Sequence, residues 1–134
     1  MKYISTRDNT KEYNFEQVFI KGLADDGGLY VPKTLKKFSA EELIKLKNLN
    51  YNALSTEIIS LFSEDFISKE ELSSLINKSY STFREKEVVK ISNVGEIKLL
   101  ELFHGPTLAF KDVAMQLIGN LYEYYLSKNN KKIN

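Results

Sequence analysis

The sequence predicts a mixed α/β chain in two parts. Residues 1–85 form a mostly helical unit, and residues 86–134 open a parallel α/β domain with its first strand and helix. Three observations predict this. Helix-start signatures and 3.6-residue apolar spacing dominate from Asn14 to Phe83. Short β-type runs replace them after residue 86. From Lys98 onward a strand, a turn and a long amphipathic helix follow one another, which is the opening of a βαβ unit without its second strand. That last feature implies an N-terminal part of a longer protein.

The elements follow in order. "KYISTR" reads as a short strand with Tyr3 and Ile4 as its apolar content. "NFEQVFIKGL" reads as a helix capped by Asn14, with Gln17 in the reciprocal position and Gly22 as the stop, and Phe15, Val18 and Phe19 on one face. "ADDGGLYVP" is a turn in which Gly27 and Gly28 supply positive φ; Leu29–Val31 is extended and Pro32 ends it. Ser39 with Glu42 starts a helix whose Leu43 and Leu46 face inward. "NALSTEIISLFSEDF" is helical, with Leu54, Ile58, Leu61 and Phe62 recurring at helical spacing. Ser68 with Glu71 opens a further helix that buries Leu72, Leu75 and Ile76 and runs towards Tyr80.

"EVVKIS" and "IKLLELF" are β-type runs joined by an Asn93–Glu96 hairpin turn. The near-continuous apolar run Leu99, Leu100, Leu102 and Phe103 predicts a strand buried on both faces. After His104-Gly105-Pro106 comes a long helix with Phe110, Ala114, Leu117, Ile118, Leu121 and Tyr125 on one face, ending in the polar "SKNNKKIN".

Composition narrows the chemistry. The chain has 134 residues, 43% apolar and 28% charged, with a net charge of +1, which argues against a nucleic-acid surface. Arg7 and Arg84 are the only arginines, and the lysines are spread along the chain as on a solvated surface. The absence of cysteine excludes disulfides, thiolate metal sites and a cysteine nucleophile. A single histidine makes a His-based metal site improbable. No run approaches the ~20 apolar residues of a membrane span, and "MKYISTRDNTKEYN" lacks the apolar core of a signal peptide. The expected location is therefore cytoplasmic, with no membrane partner.

Lys111 stands out. It lies within the first turn of the final helix, where the helix dipole disfavours a cation and Asp112 is the residue that fits. A lysine held there and partly desolvated by Phe110 and the Leu99–Phe103 run acquires the lowered pKa of an amine nucleophile or general base. A lysine that merely snorkels along an amphipathic helix is the competing reading. His104 is a proton-transfer candidate or a structural turn residue. The pairs Asp25-Asp26, Glu41-Glu42 and Glu70-Glu71 are explained by turn and helix-start chemistry. "ADDGGLY" is no phosphate loop, because no helix follows its glycines directly. The aromatics at 122, 124 and 125 lack basic interleaving and read as core or partner interface rather than a base-stacking surface.

Taken together, these segments resemble a known family. "LELFHGPTLAFKD" closely resembles the stretch that carries the cofactor lysine in the threonine synthases, which use pyridoxal 5'-phosphate (PLP). "GLADDGGLYVP" at 22–32 resembles that family's N-terminal hallmark, and "SYSTF" at 79–83 is similar to it too. "FKDVAMQLIGNLYEYYL" is similar to the branch that includes the fungal enzymes. The resemblance implies that Lys111 is the catalytic and cofactor-binding residue, holding PLP covalently and then moving protons between substrate carbons. It implies conversion of O-phospho-L-homoserine and water to L-threonine and phosphate. It implies a tryptophan-synthase-β-like (fold-type-II) PLP domain starting near residue 86, preceded by a helical N-terminal domain over 1–85. The family's cofactor-phosphate loops lie downstream of this stretch, so the chain by itself is expected to be inactive. A related lyase acting on another phosphorylated amino acid, and a non-catalytic binding or assembly module, stay open as alternatives.

Overall fold

The computed structural model describes residues 1–130, so the last four residues of the expected polar tail lie outside the described residues. The element order is β1 (Tyr3–Ser5), α1 (Phe15–Lys21), β2 (Tyr30–Pro32), α2 (Ala40–Lys47), α3 (Tyr51–Ser63), α4 (Lys69–Tyr80), β3 (Lys90–Val94), β4 (Ile97–Glu101) and α5 (Asp112–Lys128). The strands make two separate antiparallel pairs, β1 with β2 and β3 with β4. Two compact units result. One comprises Met1–Leu49 with Leu54–Leu72, and the other Asn50–Ala53 with the chain from Ser73 onward.

The first unit is built around aromatic rings. Asn14 accepts the Gln17 N–H and Gln17 returns the bond, which fixes the start of α1; Gly22 at φ 74° ends it. This aims Phe15 and Phe19 at Phe66, with ring centroids 5.4 and 6.0 Å apart. Tyr3 sits 6.2 Å from Phe15, and its hydroxyl donates to the Phe62 carbonyl at 2.9 Å. Burial, aided by the charge of Asp65, pushes the Tyr3 phenol up to about 12. Tyr3, Val18, Phe66 and Ile67 are buried and Phe15 and Phe19 half-buried, and fully burying a side chain of this kind stabilises by about 1.5–3 kcal/mol, so this cluster is the unit's apolar centre.

The turn before β2 departs from expectation in two ways. Gly27 has the positive φ, 76°, but Gly28 does not. Gly28 is required for space instead: a Cβ there would lie 2.3 Å from Ser5 Oγ. Asp26 Oδ1 accepts from both Ser5 Oγ and the Gly28 N–H at 2.8 Å, and Arg7 Nη1 donates to the Asp26 carbonyl. Pro32 is the last residue of β2, so the extended run stops there as expected, although it begins at Tyr30 rather than Leu29. Its partner Tyr3 takes the Tyr13 N–H on its carbonyl, so the ladder needs no donor from Pro32.

The capping box of Ser39 and Glu42 starts α2 as expected. Leu43, however, is 54% exposed and Leu46 only half-buried. A capping box and apolar spacing specify a helix and a face, not what covers that face. The box of Ser68 and Glu71 starts α4, in which Leu72 and Ile76 are fully buried and Leu75 half-buried.

In the second unit β3 and β4 pair with Val94 opposite Ile97 and Lys90 opposite Glu101. The turn is therefore Gly95-Glu96, with Gly95 at φ 62°, and Asn93 and Val94 belong to the strand. Val88 is buried at φ 61° ahead of the strand rather than in it. The strand expected to be buried on both faces is open. Leu99, Leu100 and Phe103 are each about half exposed, because the pairing of β4 among the described residues is antiparallel, to β3.

Helix α5 buries Leu117, Leu121 and Tyr125. Phe110 precedes the helix, and Ala114, though at helical spacing from Leu117, Leu121 and Tyr125, is exposed. The end of α4 clamps the start of α5. The Tyr80 hydroxyl donates to the Val113 carbonyl at 2.8 Å, Asn120 donates to Ser79 Oγ at 2.9 Å, and Lys78 pairs with Glu123 at 2.7 Å. Ser127 and Lys128 lie within α5, so the polar tail begins only at Asn129.

Candidate functional site

Lys111 stands at the head of a 17-residue helix, at the N-cap position, with φ −61°, ψ −25° and no capping hydrogen bond from its side chain. Its carbonyl already accepts from the Ala114 and Met115 N–H groups, so the base of the side chain is part of the helix. The side chain itself is exposed. It lines an open concavity of about 480 Å³ with Leu102, Phe110, Val113, Ala114 and Met115. The expected desolvation is absent in this form. Phe110 is 64% exposed, and from the Leu99–Phe103 run Leu102 is the residue that lines the concavity.

The segment before Lys111 is wrapped around one carboxylate. Asp112 is 3% exposed. Its Oδ2 accepts the Thr107 N–H at 2.7 Å, and its Oδ1 accepts the Thr107 hydroxyl at 2.9 Å and the Gln116 amide at 3.3 Å. Burial alone pushes this carboxyl up, but these donors outweigh it and hold it below the ordinary carboxylate range. Gly105 passes so close that a Cβ would lie 2.4 Å from Asp112 Cβ. Leu108 adopts φ 62°, and its N–H bonds back to the Gly105 carbonyl.

A second carboxylate joins this turn to the hairpin. Glu101 accepts from Ser92 Oγ at 2.6 Å and contacts His104 Nε2 at 2.8 Å. The Ser92 hydroxyl first, and His104 second, hold the Glu101 carboxyl below its usual range. The His104 carbonyl accepts the Arg84 N–H, and its ring lies 4.7 Å from Phe103. His104 thus braces the turn and does not line the concavity.

The other candidates are engaged locally. Asp25 pairs with Lys21, Asp26 holds the Gly27-Gly28 turn, and Glu42 and Glu71 complete capping boxes. Tyr125 is core, and Tyr124 receives the Lys128 ammonium. Among the described residues no group of three His, Cys, Asp or Glu side chains could hold a metal ion, and no helix is long and apolar enough to cross a membrane. Sequence reasoning leaves Thr107, Gln116 and Glu101 unremarked. The Asp112–Gln116 spacing of four residues is the one local signal that pairs any of them.

The chain is similar to known proteins over most of its length. The family model described as "Threonine synthase N terminus" matches residues 2–80. Threonine synthase of Schizosaccharomyces pombe is 39% identical over 132 residues, covering 97% of this chain and 26% of that protein. Threonine synthase of Saccharomyces cerevisiae is 42% identical over 139 residues, covering 98% and 27%. A PLP-bound threonine synthase from Brucella melitensis superposes with a TM-score of 0.93 at 36% identity, covering 98% of this chain and 29% of that one. The mixed helix-and-sheet fold is that of these enzymes. The chain spans just over a quarter of the length of the relatives it matches.

Proposed function

Because the chain belongs to the threonine synthase N-terminal family, we propose that it carries the cofactor-anchoring lysine of a PLP-dependent threonine synthase, and that this lysine is Lys111. The substrate is O-phospho-L-homoserine and the products are L-threonine and phosphate. The observation that carries the reading is the presentation of Lys111 within "LELFHGPTLAFKD": a free, exposed amine at a helix head beside an apolar concavity.

The residues present fit the cofactor. Lys111 offers Nζ with no capping bond to break, and Leu102, Phe110, Val113 and Met115 offer an apolar wall for a flat aromatic ring. PLP when bound supplies an electron sink for charge developing on the substrate carbons. Lys111 would hold it through Nζ, and a free amine at that position can hold and pass a proton. The apolar wall keeps water from one side of the reacting atoms. Borohydride reduction in the presence of PLP, followed by peptide mapping, is expected to place a pyridoxyl label on Lys111; a label confined to other lysines would sink the assignment.

A second reading is a related lyase, since "Threonine synthase-like 2" of Xenopus laevis is 37% identical over 135 residues. Identifying the product by NMR separates the two, because only the first reading predicts threonine. The same proposal takes residues 1–85 as the N-terminal domain and 86–134 as the start of the cofactor-binding domain. A peptide of residues 1–85 is expected to melt in one cooperative transition; a featureless melt would remove the division.

A further inference from the structure

We propose that Asp112 is a positioning residue for Lys111: its buried carboxylate closes the Gly105–Lys111 turn and so fixes where the lysine amine is delivered. The proposal rests on the cofactor reading above and assigns a role within that site.

The geometry suits a carboxylate. Asp112 accepts the Thr107 N–H on Oδ2 and the Thr107 hydroxyl and Gln116 amide on Oδ1, and the Ala109 backbone also favours its charged form. An asparagine of the same shape keeps an oxygen for the Thr107 N–H, but its NH2 forces the Thr107 hydroxyl and the Gln116 amide to turn from donating to accepting, and it removes the charge that strengthens all of these bonds. The turn leaves no alternative packing. Gly105 lies against the Asp112 side chain closely enough to exclude a Cβ, and Leu108 is held at φ 62°. Lys111 is thus bounded on one side by a turn tied to Asp112 and on the other by α5. The Tyr80 hydroxyl holds α5 at Val113, one residue beyond Asp112. What remains free is the lysine side chain itself. A covalent anchor on a rigid base meets its partner carbonyl more often than one on a mobile loop.

The test uses a chimera in which this chain replaces the matching segment of S. cerevisiae threonine synthase, its 42% identical relative. Three variants are compared with the parent chimera: Asp112→Asn, Thr107→Val and Thr107→Ser. The readouts are the visible absorption band of lysine-bound PLP, the rate of pyridoxyl labelling at Lys111, and amide-exchange protection at Leu117 and Leu121. Asp112→Asn is expected to slow Lys111 labelling at least ~10-fold and weaken the band, with α5 protection unchanged. Thr107→Val, which removes one donor, is expected to slow it ~3-fold, while Thr107→Ser, which keeps both, stays within ~2-fold of the parent. An Asp112→Asn protein with parental labelling, parental band and a protected α5 would overturn the proposal. Should Asp112→Asn lose α5 protection, the Thr107 pair decides: a slower valine variant supports the proposal, and equal rates for valine and serine overturn it. A parent chimera labelled elsewhere than Lys111 would instead overturn the cofactor reading itself.

Discussion

Lys111→Ala in the chimera with the yeast enzyme is expected to lower threonine formation by at least ~10³-fold, because the group that anchors the cofactor and moves the proton is gone. The fold should not notice. The Lys111 side chain is exposed and makes no capping bond, and surface substitutions of that kind stay within about ±0.5 kcal/mol. Activity and stability therefore separate cleanly in this variant. Lys111→Arg should be equally inactive although it keeps the charge, since a guanidinium does not give up its proton in proteins and cannot serve as the amine. Steady-state kinetics and a thermal melt on the same preparations check both halves. Activity within ~10-fold of the parent would show that Lys111 is a surface lysine on an amphipathic helix after all.

The chain by itself is expected to self-associate through its hairpin and to release no phosphate from O-phospho-L-homoserine. Ile91, Val94 and Ile97 are each more than 60% exposed, and Leu99, Leu100 and Phe103 about half exposed. The antiparallel register divides these residues between both faces of the β3–β4 ribbon. An uncovered two-stranded ribbon with apolar residues on both faces and free edges is a template for pairing with another copy. The Lys111 concavity is open on the same grounds, so water reaches it, and catalysis of this kind needs a closed site. Light scattering on the purified chain should show oligomers that grow with concentration. Val94→Glu with Ile97→Lys places an ion pair on directly opposed residues and should restore a monomer. A monodisperse parent at ~0.1 mM would contradict the argument from exposed apolar surface.

Much of the fold is legible in the sequence, and the reason is local. Capping boxes at Asn14, Ser39 and Ser68 name their own helices, because each satisfies backbone donors with side chains three residues away. The hairpin around Gly95 and the stop at Gly22 depend only on positive φ at glycine. Lys111 is legible because its place at a helix head is a sequence position, and because the residues around it resemble a family motif. What the sequence determined by itself was thus the identity and approximate limits of the elements and the position of the lysine.

The tertiary structure decided what covers each element. Periodicity marks Leu43 and a continuous apolar run marks Leu99 for burial, yet both are open, since burial depends on a second surface that no local pattern encodes. Phe66 lies beyond its helix and becomes a centre of the first unit only when α1 brings Phe15 and Phe19 to it. Gly28 is needed because a strand more than twenty residues earlier places Ser5 Oγ against it, not because of its own dihedral angle. Asp112 reads from sequence as a first-turn acid suited to the helix dipole. Its burial, and the donors gathered on it, appear only when the chain folds back from Gly105 through Thr107. Hydrogen bonds and apolar contacts act over a few ångströms of space, and only folding converts sequence separation into such distances.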